Sequence, residues 1–410
     1  MASLIQTVAS LSNLTNAWYK IRHKPNSKGS DAETISKFAE DLANKLQTIR
    51  KELRENRYVF QPLLAQPIDK SGGGKRMLRI PTVRDRVVQK AIQLVIEPRL
   101  EKRYQINNEV SFAYMQGKSV RQAIKRVRKL FLDGYEWVYV ADLKDFFGTI
   151  PPKKLVEEYV APGIKNTQLC SLILDALKTD ISNLEDMRKS GYEAYFEDGD
   201  VGIAQGVILS PLFSNLYLHG LDHAMIASDF EMIRFADDFI VMCRTQADAK
   251  KAEELARKIL EHDLGLKLHR VGGKKSKIEK FNHLEFLGVR FKKDHLFPGT
   301  KRVEKMLQNL KEFQRKSPRK TFVANINFLR DVTSSWASDF YYMDLPTHTY
   351  NMLDNGIAFC LIKLMRNNGF VPKNPPYPLQ DLEKLGIPTF SQRIYATKKK
   401  KIDDFNEFYS

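Results

Sequence analysis

The sequence predicts an α+β protein in which helical regions flank a central part that contains antiparallel strands. Three observations support this prediction: helical periodicity in the first sixty residues, strand-like runs within residues 61–242, and renewed helical periodicity beyond Leu296. A chain of 410 residues is long enough for two or three structural units. We place a domain boundary near residues 296–300, where the strand-like character ends.

Local patterns predict the elements of the N-terminal half in order. The first sixty residues are helical, with a turn-rich break at residues 24–30. Residues 61–80 contain two prolines and the run Gly72-Gly73-Gly74, which indicates two extended strands joined by a flexible hairpin tip. Apolar residues at helical spacing then predict helices over Arg84–Ile96 and Ser119–Phe131. The polar face of the second helix is basic and carries Arg121, Lys125, Arg126, Arg128 and Lys129.

The central part carries strand signals beside carboxylates. Residues 137–143 alternate and are rich in β-forming side chains, which predicts a strand ending near Asp142. Residues 232–236 and 239–242 are two further strand-like runs, and only Asp237 and Asp238 lie between them. That spacing is typical of a tight hairpin.

The net charge of +17 indicates a polyanionic partner. Residues 271–320 contain 15 Lys and Arg residues against 5 Asp and Glu residues, and residues 118–129 form a second basic concentration. Nucleic acid is favoured over a membrane, because these basic stretches alternate with the periodicity of core residues instead of forming one block beside a membrane span. No apolar run approaches the ~18–20 residues of such a span. The alternative, a solvated basic surface without a partner, stays open.

Cysteine and histidine positions indicate a reducing compartment and no zinc site. Three cysteines are widely spaced, and the N-terminus lacks a signal-peptide pattern, so we expect a cytoplasmic protein. His219 and His223 share one helix face and could form half of a zinc site. Since no third ligand lies nearby, a structural role is favoured.

Asp142 and Asp237 have the chemistry of a two-metal site. Nucleotidyl transfer needs in-line attack on a phosphate, which two divalent ions ~3.5–4 Å apart stabilise. Magnesium prefers carboxylate oxygens and water, so such a site needs carboxylates that converge from rigid elements. Paired aspartates at a turn are also ordinary turn residues, and spacing alone leaves both interpretations open.

Several segments resemble the motifs of reverse transcriptases, in the order of that family. Arg234-Phe235-Ala236-Asp237-Asp238 resembles the Tyr/Phe-Ala-Asp-Asp palm motif, and residues 140–147 (VADLKDFF) resemble the first palm motif. Residues 205–215 (QGVILSPLFSN) resemble the Gln-Gly-x-x-x-Ser-Pro-x-x-x-Asn element. Residues 80–89 (IPTVRDRVVQ) resemble the fingers motif of enzymes encoded by group II introns and of their bacterial relatives. Phe286-Leu287-Gly288 resembles the primer-grip hairpin.

The resemblance implies a right-hand polymerase with fingers, a palm built on an antiparallel sheet, and a helical thumb. It assigns residues 1–295 to fingers and palm and residues 296–410 to a thumb or maturase-like region. Asp142 and Asp237 would hold two Mg²⁺ ions, or Mn²⁺ in their place, with help from the Leu143 carbonyl. Asp238 would have a secondary role.

The resemblance also implies substrate contacts. Phe147 would lie against the sugar 2′ position and favour deoxynucleotides, although a core aromatic is the plain alternative. Gln205 and Gly206 would contact the incoming nucleotide and the template, since glycine lets a backbone approach a base pair closely. The cations expected near the triphosphate and the active site are Lys70, Arg76 and Lys275.

Two departures from the family pattern affect these expectations. Intron-type enzymes have Ser-Tyr-Gly-Phe-Arg-Pro-Gly-Arg-Ser where this chain has SFAYMQGKS at residues 111–119, so Met115 and Gln116 replace arginine and proline. This puts the usual template or nucleotide contact in doubt. Relatives often have glycine and aspartate at the positions of Asp145 and Gly148. Because the metal-binding aspartates remain, we expect an active enzyme.

The predicted function is RNA-directed DNA synthesis, in which dNTPs extend a 3′-hydroxyl on an RNA template. We expect the template to be a structured, dedicated non-coding RNA in an anti-phage defence system. No nuclease pattern follows the thumb-like region, and independent intron mobility is not expected. One alternative is a group II intron-encoded reverse transcriptase or maturase that aids splicing and retrohoming. Another is an RNA-binding splicing factor with an inactive site. The primer and the oligomeric state stay open.

Overall fold

The computed structural model describes residues 3–69, 74–196, 202–273, 275–293, 295–316, 321–344, 347–369 and 389–400. The chain divides into two compact units, which we call the N-terminal unit (residues 1–130 and 134–279) and the C-terminal unit (residues 131–133 and 280–410). Both contain helices and antiparallel strands, so the predicted α+β class is confirmed. The assignment of residues 1–295 and 296–410 to named polymerase domains stays a prediction.

The N-terminal unit is mainly helical. Its helices are α1 (Leu4–Val8), α2 (Leu11–Ile21), α3 (Ile35–Glu40), α4 (Leu42–Arg54), α5 (Val83–Tyr104), α6 (Val120–Leu132, whose last two residues belong to the C-terminal unit), α7 (Phe146–Thr149), α8 (Pro152–Lys154), α9 (Ala161–Ile164), α10 (Thr167–Ala176), α11 (Leu184–Lys189), α12 (Ser210–Ala227) and α13 (Gln246–Arg257). Residues Leu155–Val160 and Lys258–Asp263 form π-helical turns, and Glu193–Tyr195 a 3₁₀ turn.

Helix α5 is the central helix of this unit. The Thr82 hydroxyl caps it by accepting a hydrogen bond from the Asp85 amide. The helix extends to Tyr104, eight residues beyond the predicted end, because buried Ile96 and Leu100 continue its apolar face. It therefore holds the segment after Ile80 rigidly against the core.

Two sheets lie in the N-terminal unit. Strands β1 (Leu64–Asp69) and β2 (Lys75–Ile80) pair antiparallel, and the tip residues 70–73 lie outside the described residues. A second sheet has the order β4-β5-β3-β6, with β3 (Trp137–Ala141), β4 (Glu231–Phe235), β5 (Asp238–Cys243) and β6 (Lys277–Lys280). Strand β5 pairs antiparallel with both β3 and β4.

The β4–β5 turn differs by one residue from the prediction. Asp238 pairs with Phe235, so the two turn residues are Ala236 and Asp237 instead of Asp237 and Asp238. Ala236 has φ +59°, in the left-handed region that two-residue hairpin loops require. The sequence pattern missed this shift because alanine is an unusual residue at such a position.

The C-terminal unit combines a small sheet with long helices. Strands β7 (Glu285–Phe286), β8 (Val289–Lys292) and β9 (His295–Pro298) form an antiparallel sheet. Leu287 and Gly288 make the β7–β8 turn, both with positive φ. The helices are α14 (Thr300–Lys316), α15 (Phe322–Phe340), α16 (Thr347–Asn367) and α17 (Phe390–Lys400). No helix of the described residues is both long enough and apolar enough to cross a membrane.

Candidate active site

Strand pairing brings three aspartates to one edge of the β4-β5-β3-β6 sheet. Ala141, the last residue of β3, pairs with Phe239, the second residue of β5. Asp142 follows β3 directly. Asp237 lies in the turn before β5, and Asp238 is the first residue of β5. Because β3 and β5 are antiparallel neighbours, the end of one and the start of the other meet at the same edge.

The three carboxylates influence one another electrostatically. Partial burial, followed by the charge of Asp142, raises the pKa of Asp237 above its usual value. Loss of hydration to the surrounding protein atoms, followed by the charges of Asp237 and Asp142, raises the pKa of Asp238 to about 6. The Asp238 side chain is nonetheless exposed, so solvent screening moderates the effect. A cluster of this kind favours protons or cations.

Two predicted cations lie in the same neighbourhood. The Lys275 ammonium forms an ion pair with Asp142, Nζ to Oδ2 at 2.9 Å. The positive charges of Lys275 and Arg76 both lower the pKa values of Asp237 and Asp238, opposing the effect of burial. Arg76 lies on β2 and is exposed. Lys70, its predicted companion, lies outside the described residues.

His269 is a neighbour of Asp142 that the sequence analysis missed. Its backbone amide donates to the Asp142 carbonyl at 3.1 Å, and its Nε2 lies 3.9 Å from Asp142 Oδ2 and 3.3 Å from Lys275 Nζ. The Lys144 amide in turn donates to the Lys267 carbonyl at 2.7 Å. These two backbone hydrogen bonds involve neither the amide nor the carbonyl of Leu143. They therefore do not occupy the Leu143 carbonyl, which was predicted to bind metal.

Phe147 and the Gln205–Gly206 segment are connected through backbone contacts. The Ile203 amide donates to the Phe147 carbonyl at 2.9 Å, and the Arg79 amide donates to the Gln205 carbonyl at 2.8 Å. Gly206 has φ +112°, and a Cβ there would lie 2.6 Å from the Arg79 carbonyl oxygen. Only glycine fits this approach of the segment to strand β2. The structure thus joins the segment that resembles the first palm motif, the Gln-Gly element and the β1–β2 hairpin.

The donor set suits a hard divalent cation. Among the described residues, no group of three or more His, Cys, Asp or Glu side chains is arranged to hold a metal ion. Mg²⁺ usually binds one or two carboxylates and completes its shell with water and substrate phosphates. Asp142 and Asp237, with the Leu143 carbonyl between them in sequence, fit that pattern. Their mutual repulsion is what a bound cation would relieve.

Other predicted features have different environments. His219 and His223 each bind a backbone carbonyl, those of Leu216 and Tyr104 at 2.7 and 2.8 Å, which agrees with the structural role favoured from the sequence. On α6, Arg128 is buried instead of exposed, and Arg126 pairs with Glu231 at 2.5 Å. The helix therefore presents a smaller free basic face than its sequence suggested.

The structure also reveals a buried ion pair beside the site. Arg234 and Asp222 are fully buried and bonded to each other, and Arg234 also reaches the carbonyl of Ala236 in the turn before Asp237. Arg234 stands within a motif that gave it no predicted role. The available signal was an arginine between apolar Ile233 and Phe235 of β4.

Comparisons with known proteins agree with the motifs. Residues 68–291, more than half of the chain, match the family model described as "Reverse transcriptase (RNA-dependent DNA polymerase)". Protein YkfC of Escherichia coli K12 is 27% identical over 314 residues, which cover 67% of this chain and 78% of that protein. The group II intron-encoded protein LtrA of Lactococcus lactis subsp. cremoris is 31% identical over 196 residues, which cover 48% of this chain and 30% of LtrA.

An uncharacterized 91 kDa protein in the cob intron of Schizosaccharomyces pombe is 30% identical over 221 residues, which cover 52% of this chain and 25% of that protein. The aligned part thus spans less than a third of two of these three relatives. The match over residues 68–291 confirms the predicted family and its polymerase fold. The chain belongs to the reverse transcriptase family, that of the RNA-dependent DNA polymerases.

Proposed function

We propose that this chain synthesises DNA on an RNA template by extending a 3′-hydroxyl with dNTPs. One observation carries the proposal beyond family membership: β3 and β5 bring Asp142, Asp237 and Asp238 to one sheet edge, where burial and the charges of neighbouring carboxylates raise the pKa values of Asp237 and Asp238. A binding module has no need of repelling carboxylates beside Lys275 and Arg76.

Asp142, Asp237 and the Leu143 carbonyl would hold two Mg²⁺ ions. The ions would supply charge stabilisation to the attacking and leaving oxygens of phosphoryl transfer. Asp238, at the start of β5, would add negative charge to the site without binding the metal ions directly. The protein's own task is to fix these oxygens on strand ends, where backbone pairing limits their movement.

The remaining residues would bind and orient substrates. Arg76 and Lys275 would attract the triphosphate, as cations aimed at developing phosphate charge do in many transfer enzymes. Phe147 would contact the sugar, with its backbone fixed by the Ile203 amide. Gln205 and Gly206 would contact the base pair from the segment that packs on β2. Lys70 would join Arg76 at the triphosphate.

Primer extension tests this function. Purified protein is incubated with Mg²⁺, labelled dNTPs and an oligo(dT)-primed RNA, beside Asp142→Ala and the double variant Asp237→Ala/Asp238→Ala. We expect DNA product from the wild type alone, dependent on Mg²⁺ or Mn²⁺. Product of equal length and amount from the aspartate variants would show that the activity belongs to a contaminant.

A wild type without product on this template is next given total RNA that copurifies with it. Continued lack of product would support the alternative function, that of an RNA-binding splicing factor whose polymerase site is inactive. In that case Asp142→Ala should leave RNA binding and the cellular phenotype unchanged.

For the biological setting, we propose that the enzyme copies a dedicated, structured non-coding RNA in anti-phage defence. A net charge of +17 suits a long RNA partner. A competing setting is splicing and mobility of a group II intron, which is favoured by the similarity to the intron-encoded protein LtrA.

Sequencing RNA that is crosslinked to the protein in cells distinguishes the two settings. One discrete RNA, and greater phage sensitivity after deletion of the gene or in Asp142→Ala, would support defence. Recovery of the intron that surrounds the gene, with a loss of splicing upon deletion, would support the intron setting and overturn the defence proposal.

A further inference from the structure

All the hydrogen-bonding nitrogens of one buried guanidinium, that of Arg234, have partners. Nε and Nη2 bind the two carboxylate oxygens of Asp222 at 2.6 and 2.5 Å. Nη2 also donates to the Ser111 hydroxyl at 2.9 Å. Nη1 donates to the Asn215 side-chain oxygen and to the Ala236 carbonyl, both at 2.9 Å. A planar fork with fixed donors suits such a set of acceptors, which a lysine could not reach together.

The partners of Arg234 come from segments that are far apart in sequence. Ser111 begins the segment that departs from the family pattern, and Asn215 ends the Gln-Gly element on α12. Asp222 lies about two turns further along that helix. Ala236 is in the turn that presents Asp237. The Arg234 side chain therefore connects three sequence motifs next to the turn that carries Asp237.

The backbone of Arg234 strengthens the same junction. Its amide donates to the Val110 carbonyl and its carbonyl accepts from the Phe112 amide, both at 2.8 Å, so residues 110–112 run beside β4. The Asn215 side chain donates to the Ala113 carbonyl at 2.8 Å. The next residue, Tyr114, has φ +61°, and Asp237's charge contributes, after burial, to raising the pKa of its phenol.

The Ala236 carbonyl connects this hydrogen-bond network to Asp237, the predicted metal ligand. Ala236 is a non-glycine residue with a left-handed φ, a conformation that persists only when its surroundings fix it. The bond from Arg234 Nη1 fixes the peptide between Ala236 and Asp237. Rotation of that peptide would move the Asp237 carboxylate relative to Asp142.

We infer that Arg234 is a positioning residue for the metal-binding edge, which acts by holding the Ala236–Asp237 peptide and the residue 110–114 segment in one arrangement. The inference deepens the proposed function and rests on it for its kinetic readout. Partners that orient metal ligands typically contribute ~10- to 100-fold to metal affinity or activity.

Two variants test the inference. Arg234→Lys keeps the charge beside Asp222 but cannot bind Asn215, Ser111 and the Ala236 carbonyl at once. Arg234→Met/Asp222→Leu removes the ion pair without leaving a buried charge, which often preserves stability. The matched control is Arg257→Met on α13, which breaks the ion pairs of Arg257 with Glu253 and Glu261 (3.2 and 2.7 Å) and leaves every hydrogen-bond partner of Arg234 in place.

Three readouts are taken on the full chain: Mn²⁺ binding by electron paramagnetic resonance, amide exchange of residues 236–238, and kcat with the dNTP KM. We expect at least one Arg234 variant to unfold cooperatively, as the wild type does. It should bind Mn²⁺ about 10-fold more weakly, exchange faster at the turn and lose ~10- to 100-fold in kcat. The dNTP KM should change little, and Arg257→Met should match the wild type in all three readouts.

Folded Arg234 variants with wild-type Mn²⁺ binding, turn exchange and kcat would overturn the inference. Loss of the fold in both variants would also overturn it, because Arg234 would then serve stability alone. A wild type that makes no DNA on any primed RNA would refute the proposed function instead. The Mn²⁺ and exchange measurements would still decide the role of Arg234 in that case.

Discussion

The carboxylate of Asp145 occupies the space beside Gly148 in which a side chain of residue 148 would begin. A Cβ atom on Gly148 would lie 2.2 Å from Asp145 Oδ2. Asp145 itself has φ +43°, a left-handed conformation that glycine adopts most readily. Relatives often have glycine and aspartate at these two positions, the reverse arrangement. The Asp145 carboxylate and a side chain at residue 148 therefore exclude each other.

We predict that Asp145 and Gly148 are energetically coupled. Gly148→Asp alone should destabilise the protein, since it places two carboxylates in one space, and should reduce activity because Phe147 lies between them. Asp145→Gly alone should be neutral or stabilising by up to about 1 kcal/mol, because it relieves the left-handed φ. The double variant Asp145→Gly/Gly148→Asp should recover most of the lost stability. Thermal unfolding of all four proteins gives the coupling energy, and additive effects of the two substitutions would contradict this prediction.

The close approach of Gly206 to Arg79 gives a second prediction. Gly206→Ala should destabilise the protein by roughly 1–3 kcal/mol and raise the dNTP KM, because both φ +112° and the 2.6 Å approach exclude a Cβ. Backbone atoms cannot move aside as a flexible side chain can.

The control is Gly220→Ala within α12, where a new Cβ would meet nothing within 4 Å. That change should stabilise the protein by about 0.5–1 kcal/mol through helix propensity. Unfolding and steady-state kinetics of both variants check the pair. Equal effects of the two substitutions would show that the contact of Gly206 with β2 is unimportant.

The sequence predicted the parts of the site that are encoded locally. Asp142 at a strand end and Asp237 in a tight turn follow from short periodic patterns, and the antiparallel pairing of β3 with β5 brings them together. The Arg234 network could not be predicted in this way, because its Ser111 partner is 123 residues away. Long-range packing, which a single sequence does not display, decided that network. The one-residue shift of the turn has a local cause, because alanine is unusual at the left-handed φ of residue 236.

The raised pKa values predict how the metal-free protein responds to pH. The pKa of Asp238 is about 6, above its usual value near 4, so its protonated form favours the folded state. That stabilisation is complete below about pH 4 and is lost as the pH rises through about 6. Because Asp238 is exposed, we expect a loss of about 1 kcal/mol or less. Mg²⁺ affinity should rise across the same pH window, as protons leave the carboxylates.

Thermal unfolding in EDTA between pH 4 and pH 8 measures this effect. Asp238→Asn should remove part of the pH dependence and be more stable than the wild type at pH 8. Asp186→Asn, a substitution on α11 far from the carboxylate edge, should leave the pH profile unchanged. Parallel pH profiles of the wild type and Asp238→Asn in EDTA would show that repulsion in the cluster is negligible.

The final prediction concerns the choice between deoxynucleotides and ribonucleotides at Phe147. Phe146 is fully buried, with 2% of its surface exposed, whereas Phe147 is only half-buried and packs edge-on against it at 5.3 Å. If Phe147 contacts the sugar, Phe147→Ala should lower the ratio of kcat/KM for dNTPs over rNTPs by about 10-fold or more, because the steric barrier to the 2′-hydroxyl is removed. Phe146→Ala should instead cost about 3–5 kcal/mol of stability and leave that ratio unchanged in the folded fraction. Single-nucleotide incorporation with both substrate classes measures the ratio. A Phe147→Ala protein that is less stable yet equally selective would make Phe147 a core aromatic and assign sugar discrimination to another residue.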